Sequence, residues 1–353
     1  MSSPLELARP DLLDLEPYQH ALWEPALERL HANENPWRAP GDNSIAGLNR
    51  YPEPQPEQLA HRLADLYQVP RAQVLVGRGS DEAIDLVVRA FCRAGVDAIL
   101  ILPPTFGMYK VAARIQGAAV NELVLTAATG FAPTADAILE RWRPQIKLVF
   151  LCSPNNPTGN AYDETMMLDV AGRLSGKALL VVDEAYLEFS RRPSLTRWQA
   201  RFPNLVVLRT LSKAFALAGA RCGALIANAD IVGLLQRIIP PYAIPSSTVE
   251  IVEHVLSAPQ IIQTRARVEA IIAERQRLAH ALPSVSGVRR VYPSDANFLL
   301  VEFDDAARAL DAARNAGLLL RDVRRQPGLA RCLRISVGNP QQNDRLLRAL
   351  ASP

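Results

Sequence analysis

Leu205-Val206-Val207-Leu208-Arg209-Thr210-Leu211-Ser212-Lys213-Ala214-Phe215 is the stretch whose reading decides the fold. It opens as a short continuous apolar run ending in polar residues, the pattern of a strand covered on both faces. The turn that follows is small and rich in hydroxyls, and it carries a lysine, with Arg221 eight residues further on. Only four of the 39 basic residues are lysines (Lys110, Lys147, Lys177 and Lys213), so an amine is a scarce reagent in this chain. Lys213 alone leaves a buried strand for such a turn. Partial desolvation near another cation lowers an amine's pKa, as a lysine that attacks a carbonyl requires.

Two neighbouring runs have the same form. Leu148-Val149-Phe150-Leu151 leads into Cys152-Ser153-Pro154-Asn155-Asn156-Pro157-Thr158-Gly159, and Ala178-Leu179-Leu180-Val181-Val182 into Asp183-Glu184-Ala185-Tyr186. Ligands of open α/β sheets bind beyond the carboxyl ends of the strands. Asn156, Asp183, Tyr186 and Lys213 are therefore expected on one rim. Together they offer a carboxylate for a protonated pyridine nitrogen, an amide and a phenol for a phenolate oxygen, and an amine for an aldehyde. Those are the demands of pyridoxal 5'-phosphate (PLP).

A phosphate site is expected beside them. Val74-Leu75-Val76 runs into Gly77-Arg78-Gly79-Ser80-Asp81-Glu82, and Ile84, Val87, Val88 and Phe91 then recur at helical spacing. A glycine-rich turn opening a helix presents free N–H groups and the positive end of the helix dipole. The third glycine of a dinucleotide fingerprint is missing, and Ser80 as a plain N-cap is the alternative reading. Thr210, Ser212 and Arg221 add donors from the lysine turn. Side-chain direction at Arg78 is not legible.

Composition sets the outer bounds. The 353 residues are 49% hydrophobic and 21% charged, as in an ordinary globular protein of two or three structural units. A net charge of +3 with dispersed arginines gives no argument for nucleic acid. Cys92, Cys152, Cys222 and Cys332 are far apart and the histidines have no metal-ligand spacing, so neither zinc nor disulfides are expected. No signal peptide and no membrane-spanning run is read, which makes a cytoplasmic location the expectation.

An arm is expected over residues 1–45, packing on the small domain, with a short helix around Tyr18 to Leu30. A large domain is expected over 46–245 and a smaller α/β domain over 246–353. Strands near 74–77, 98–102, 120–125, 147–152, 178–183, 205–209 and 223–227 alternate with helices, the pattern of a mostly parallel seven-stranded sheet sandwiched by helices. The prolines of Ile239 to Pro245 mark a hinge. Beyond it come a long helix from Pro259 to Leu282, a strand from Asn297 to Phe303, a helix from Asp304 to Ala316, and strands near 318–321 and 332–337.

Asn155-Asn156-Pro157-Thr158-Gly159, Asp183-Glu184-Ala185-Tyr186 and Thr210-Leu211-Ser212-Lys213-Ala214-Phe215, with Arg221, resemble the fold-type I PLP aminotransferases over about Glu16 to Leu350. Asn33-Glu34-Asn35-Pro36, Arg50-Tyr51-Pro52-Glu53-Pro54-Gln55, Asp295-Ala296-Asn297-Phe298 and Leu333-Arg334-Ile335-Ser336-Val337-Gly338 narrow the likeness to the histidinol-phosphate aminotransferase family. The resemblance implies ping-pong transamination between histidinol phosphate and 2-oxoglutarate, giving imidazole acetol phosphate and glutamate. It implies that Arg334, Arg321, Tyr18 and Asn33 hold the substrate. It also implies a homodimer in which Tyr51 reaches the neighbouring subunit's PLP phosphate. Arg334 is suited to a bidentate grip on an anion. Tyr109, just after a strand end, is expected to stack on the pyridine ring, and Lys110 beside it has no assigned direction.

Three rival readings are weighed. A threonine-phosphate decarboxylase would use the same electron sink on a carboxylate, and an aromatic amino acid aminotransferase would prefer phenylalanine. A non-enzymatic ligand sensor would need a DNA-binding module, for which the short acidic N-terminal arm leaves no room.

Overall fold

The computed structural model describes residues 3–21, 24 and 27–351. Among them, seven short runs rich in Val, Leu and Ile form the large sheet: β1 (Val74–Gly77), β2 (Ala98–Ile101), β3 (Ala119–Glu122), β4 (Ile146–Cys152), β5 (Leu179–Asp183), β6 (Leu205–Thr210) and β7 (Gly223–Ile226). Their spatial order is β1-β7-β6-β5-β4-β2-β3. Only β7 runs against its neighbours, β1 and β6; the other pairs are parallel. The expected mostly parallel sheet is therefore present.

Alternation along each strand divides the core. Val149, Leu151, Leu180, Val182, Leu205 and Val207 face one layer, while Leu148, Phe150, Leu179, Val181, Val206 and Leu208 face the other. Each such fully buried aliphatic or aromatic side chain contributes about 1.5–3 kcal/mol of burial energy. Side chains at odd and even positions point to opposite faces. Asp183 therefore continues the face of Leu179 and Val181, and Arg209 the face of Leu205 and Val207.

The helices are α1 (Pro10–Leu13), α2 (Glu57–Tyr67), α3 (Ser80–Phe91), α4 (Met108–Gln116), α5 (Ala135–Arg141), α6 (Glu164–Arg173), α7 (Ala229–Ile238), α8 (Ser246–Val255), α9 (Ala258–Ala281), α10 (Ala306–Asn315) and α11 (Pro340–Ala351). Beyond α9, β8 (Val288–Val291), β9 (Phe298–Phe303), β10 (Arg321–Asp322) and β11 (Cys332–Ser336) make an antiparallel sheet of order β10-β11-β9-β8. One face of β9, through Leu299, Val301 and Phe303, packs on α9, α10 and α11. Its other face, through Phe298 and Leu300, joins the core layer that holds Tyr186. The two sheets thus meet at the strand ends where the candidate residues lie.

Four expectations need correction. The described part of the Tyr18 to Leu30 span has no helix; residues 22, 23, 25 and 26 lie outside the described residues. The arm's first turn packs on the large domain rather than the small one: Leu7 and Ala8 are buried against the layer of α3 and α7, and the Arg9 N–H donates to the Ala90 carbonyl across 2.9 Å. Helix α8 and strand β8 were not foreseen. The strand expected near 318–321 is only Arg321–Asp322, since Leu318, Leu319 and Leu320 are irregular.

Candidate active site

Asp183 ends β5 with 2% of its surface exposed. It accepts the Tyr109 hydroxyl at 2.8 Å and the Ala185 N–H at 3.1 Å. Burial pushes its carboxyl up to about 6, against the pull of those two donors. The charge of Lys213 also draws it down, and Asp183 in turn raises the lysine, so each group lies within electrostatic reach of the other.

Lys213 follows β6 by three residues, and its Nζ lies 5.6 Å from the centroid of the Tyr186 ring. Partial burial of the amine lowers its pKa, and the cations Arg334 and Arg221 lower it further. Tyr186 is buried, and its ring meets Phe298 of β9 edge to face at 5.1 Å. Among the described residues, neither the Tyr186 hydroxyl nor the Lys213 amine has a hydrogen-bond partner.

Asn156 and Arg334 bridge the two domains. Arg334 Nη1 donates to Asn156 Oδ1 at 2.6 Å, and the guanidinium lies 5.2 Å from the centroid of the Phe298 ring. Its Nε is buried with no partner. Burial disfavours the Arg334 charge, and nearby Arg321 adds to the cost. Arg321 and Arg334 are direct partners in the β10–β11 register, hence on one face of the sheet. Two cations sharing a face, one with a buried unused donor, suit an anionic ligand.

The turn before α3 forms a cup. Gly79 adopts φ +82°, ψ 178°, a conformation open to glycine alone, and a Cβ there would lie 3.1 Å from Arg221 Nη2. Gly223 lets β7 come close: its Cβ would lie 2.7 Å from the Arg209 carbonyl and 3.0 Å from Gly79 Cα. Arg221, itself at φ +53°, donates to Ser212 Oγ at 3.4 Å and pairs with Asp81 at 3.2 Å. Thr210 Oγ1 accepts the Ser212 N–H at 3.2 Å. Ser80 is the first residue of α3 and not its cap, so the free N–H groups of the first turn open into the cup. Backbone donors with an arginine and hydroxyls fit a phosphate.

Not every expected residue joins this cluster. Tyr109 is fully buried, its ring parallel to Phe150 at 4.7 Å and its hydroxyl on Asp183, so it is no stacking platform for a ligand. Phe106, partly exposed and edge-on to Tyr109 at 5.6 Å, is the more accessible ring of this turn and was not among the expected site residues. Tyr18, Tyr51 and Asn33 lie on the arm. There Tyr18 meets His20 at 5.5 Å, His20 meets Tyr242 at 5.3 Å, and Tyr51 stacks on Tyr242 at 4.7 Å. Among the described residues, no hydrogen bond, ion pair or ring contact joins these three to Lys213 or Arg334.

Arg78 and Lys110 turn out to be engaged elsewhere. Glu82 accepts the Arg78 N–H at 2.7 Å and its Nε at 2.9 Å, which closes the cup turn from behind. Lys110 Nζ pairs with Glu122 at 2.7 Å. Sequence reasoning missed Arg209, which is buried on the opposite face of β6 and paired with Glu184 at 2.9 Å and Glu188 at 2.6 Å. Strand parity could have found it: Glu184 and Arg209 adjoin Asp183 and Thr210 and so point the other way. Among the described residues no cluster suits a metal ion, no helix is long and apolar enough to cross a membrane, and all four cysteines are free and buried.

Residues 28–350 match the family model for aminotransferase class I and II. A histidinol-phosphate aminotransferase of Xylella fastidiosa (strain 9a5c) is 49% identical over 356 residues, spanning 98% of this chain and 96% of the relative. The histidinol-phosphate aminotransferase structure from Clostridium acetobutylicum matches with a TM-score of 0.79 at 22% identity, over 87% of this chain and 91% of that one, a likeness of fold. That from Sinorhizobium meliloti, solved in complex with pyridoxal-5'-phosphate, matches with a TM-score of 0.74 at 25% identity, over 86% of this chain and 82% of the other.

Proposed function

Since the chain belongs to the class I and II aminotransferases, and within them to the histidinol-phosphate aminotransferases, we propose that it is a PLP-dependent enzyme of histidine biosynthesis. It moves an amino group between L-histidinol phosphate with 2-oxoglutarate on one side and imidazole acetol phosphate with L-glutamate on the other. The observation that carries this reading is Lys213 and Asp183 within electrostatic reach of each other at neighbouring strand ends, with Arg334, hydrogen-bonded to Asn156, also acting on the lysine.

When bound, PLP supplies an aldehyde for an amine and a ring that takes up the electron pair of a broken C–H bond. The turn at Gly79 and the main-chain N–H groups of Ser80 and Asp81, with Thr210, Ser212 and Arg221, would hold its phosphate end. Asp183 would keep a proton on the ring nitrogen, Asn156 and Tyr186 would donate to the ring oxygen, and Phe106 would offer an aromatic ring beside it. Lys213, its proton affinity lowered by partial burial and two cations, takes the proton from the substrate carbon that bears the amine. Arg334, with Arg321 opposite, grips the phosphate of one substrate and a carboxylate of the other.

The finer assembly belongs to the same reading. The protein acts as a homodimer, with Tyr51 reaching the partner subunit's cofactor phosphate and Tyr18 and Asn33 completing the substrate site. Trp37, Ile45, Leu48 and Tyr51, all exposed within one irregular stretch of chain, support it, since exposed apolar side chains favour an interface. Four free cysteines fit a reducing cytoplasm.

The deciding experiment supplies PLP-loaded protein with histidinol phosphate, phenylalanine or threonine phosphate, each with 2-oxoglutarate. Glutamate forms fastest from histidinol phosphate, without carbon dioxide. Faster carbon dioxide release from threonine phosphate would replace the reading by the decarboxylase, and a preference for phenylalanine by the aromatic aminotransferase.

A further inference from the structure

Residues 27–51 contain no helix or strand, so their main-chain groups have no ladder to fix them. Tyr51, the last of them, is nonetheless held at both of its main-chain polar groups. Its N–H donates to Glu34 Oε1 at 2.7 Å, and its carbonyl accepts from Arg29 Nη1 at 3.2 Å. Arg29 also pairs with the same Glu34 oxygen at 3.4 Å, while Arg50 Nη1 donates to Glu34 Oε2 at 2.9 Å and to the Arg29 carbonyl at 3.2 Å. The Glu34 side chain is only 3% exposed. Asn33 before it takes φ +55°, a left-handed turn that asparagine tolerates, and this turn directs the carboxylate inward.

What this cluster leaves free is the Tyr51 side chain. It is 50% exposed, with one ring face laid on Tyr242. Removing one member of such a cluster leaves the opposite charges unpaired, so Glu34 holds Arg29, Arg50 and the Tyr51 main chain as one unit. A knot that fixes both main-chain polar groups of one half-exposed residue sets where that residue points.

We propose that Glu34 is the positioning residue that presents Tyr51 to the cofactor phosphate of the partner subunit. This rests on the homodimer reading above. Glu34 touches neither substrate nor cofactor; it acts through the Tyr51 main chain and through Arg29 and Arg50.

The test is a double-mutant cycle read in cofactor binding rather than turnover, with equilibrium dialysis of apo protein against PLP. Glu34→Gln keeps the shape but replaces one acceptor oxygen by a donor facing Arg50. It weakens PLP binding about tenfold, as does Tyr51→Phe, and the double variant binds no worse than Tyr51→Phe alone. Light scattering and thermal unfolding check that each variant is a folded dimer. If Glu34→Gln is not, Glu34→Asp, which keeps the charge but withdraws it by one methylene, takes its place with the same expectation. Wild-type affinity in the Glu34 variant beside a weakened Tyr51→Phe overturns this inference alone, as does full additivity in the double variant. Wild-type affinity in Tyr51→Phe overturns the cross-subunit reading itself, and this inference with it.

Discussion

Tyr109 donates its hydroxyl hydrogen to Asp183 across 2.8 Å, from a ring with no exposed surface. The bond stabilises the ionised carboxylate, so it draws the Asp183 pKa down from where burial alone would leave it. Tyr109→Phe keeps the ring and removes the bond. Hydrogen bonds to charged groups contribute about 1.5–3 kcal/mol, so Asp183 then titrates about one to two pH units higher. The pH below which apo protein stops binding PLP should rise by that amount, measured as affinity against pH. A ring that merely stacked would be replaced by phenylalanine without any shift.

Asp183 also sets a trade between stability and function. Its folded-state pKa of about 6 lies above the ordinary 3.8, so the apo fold is penalised when the group ionises. The sign follows directly: no cost below about pH 4, a growing cost through about pH 4–6, and the full cost above. Asp183→Asn should therefore make apo protein more stable by about 2–3 kcal/mol at neutral pH and no more stable near pH 4. Turnover should fall by about 10²-fold or more, because a neutral amide cannot hold the ring nitrogen protonated. Urea unfolding at both pH values, beside steady-state rates, checks the pair.

Much of the site was legible because each of its strands is a run of apolar residues that stops at polar ones. Asp183, Tyr186 and Lys213 fall just past such stops, and counting along the chain places them together. Tyr109 was misplaced because it is the second residue of α4, where direction depends on helix phase and on a partner 74 residues away. Strand β8 was missed because Val288-Arg289-Arg290-Val291 sits at the edge of its sheet with both arginines exposed, so its pattern lacks the apolar face of a core strand. The arm has no periodicity at all. What ties residues 29–51 together is a set of long-range polar contacts around Glu34, and these leave no mark in any local window of sequence.

The cup depends on missing side chains. Gly79→Ala places a methyl at φ +82° and 3.1 Å from Arg221 Nη2, which costs about 1–3 kcal/mol and displaces the guanidinium. Gly223→Ala drives its methyl against the Arg209 carbonyl and the Gly79 main chain. Both variants should lose thermal stability and bind PLP about tenfold or more weakly. Gly95, at φ +71° with nothing within 4 Å of its Cβ position, is the control. Gly95→Ala should lose stability of about 1 kcal/mol with PLP affinity intact. Equal loss of affinity in all three would mean that general strain, not the cup, governs binding.

Asn156 and Arg334 make opposite demands on the kinetics. The Asn156 amide spends its oxygen on Arg334 at 2.6 Å, which leaves its nitrogen free for the donor role proposed above. Arg334, tethered at one nitrogen, has a buried Nε without a partner, as the anion-gripping role proposed above requires. Arg334→Lys removes the planar fork while keeping the charge, so KM for histidinol phosphate and for 2-oxoglutarate should each rise about 10–100-fold. Asn156→Ala frees the arginine but takes a donor from the cofactor, so kcat should fall about tenfold while KM changes little. Separate measurement of kcat and KM for both substrates tests the division. If Asn156→Ala raised both KM values as Arg334→Lys does, the tether rather than the cofactor contact would be its main role.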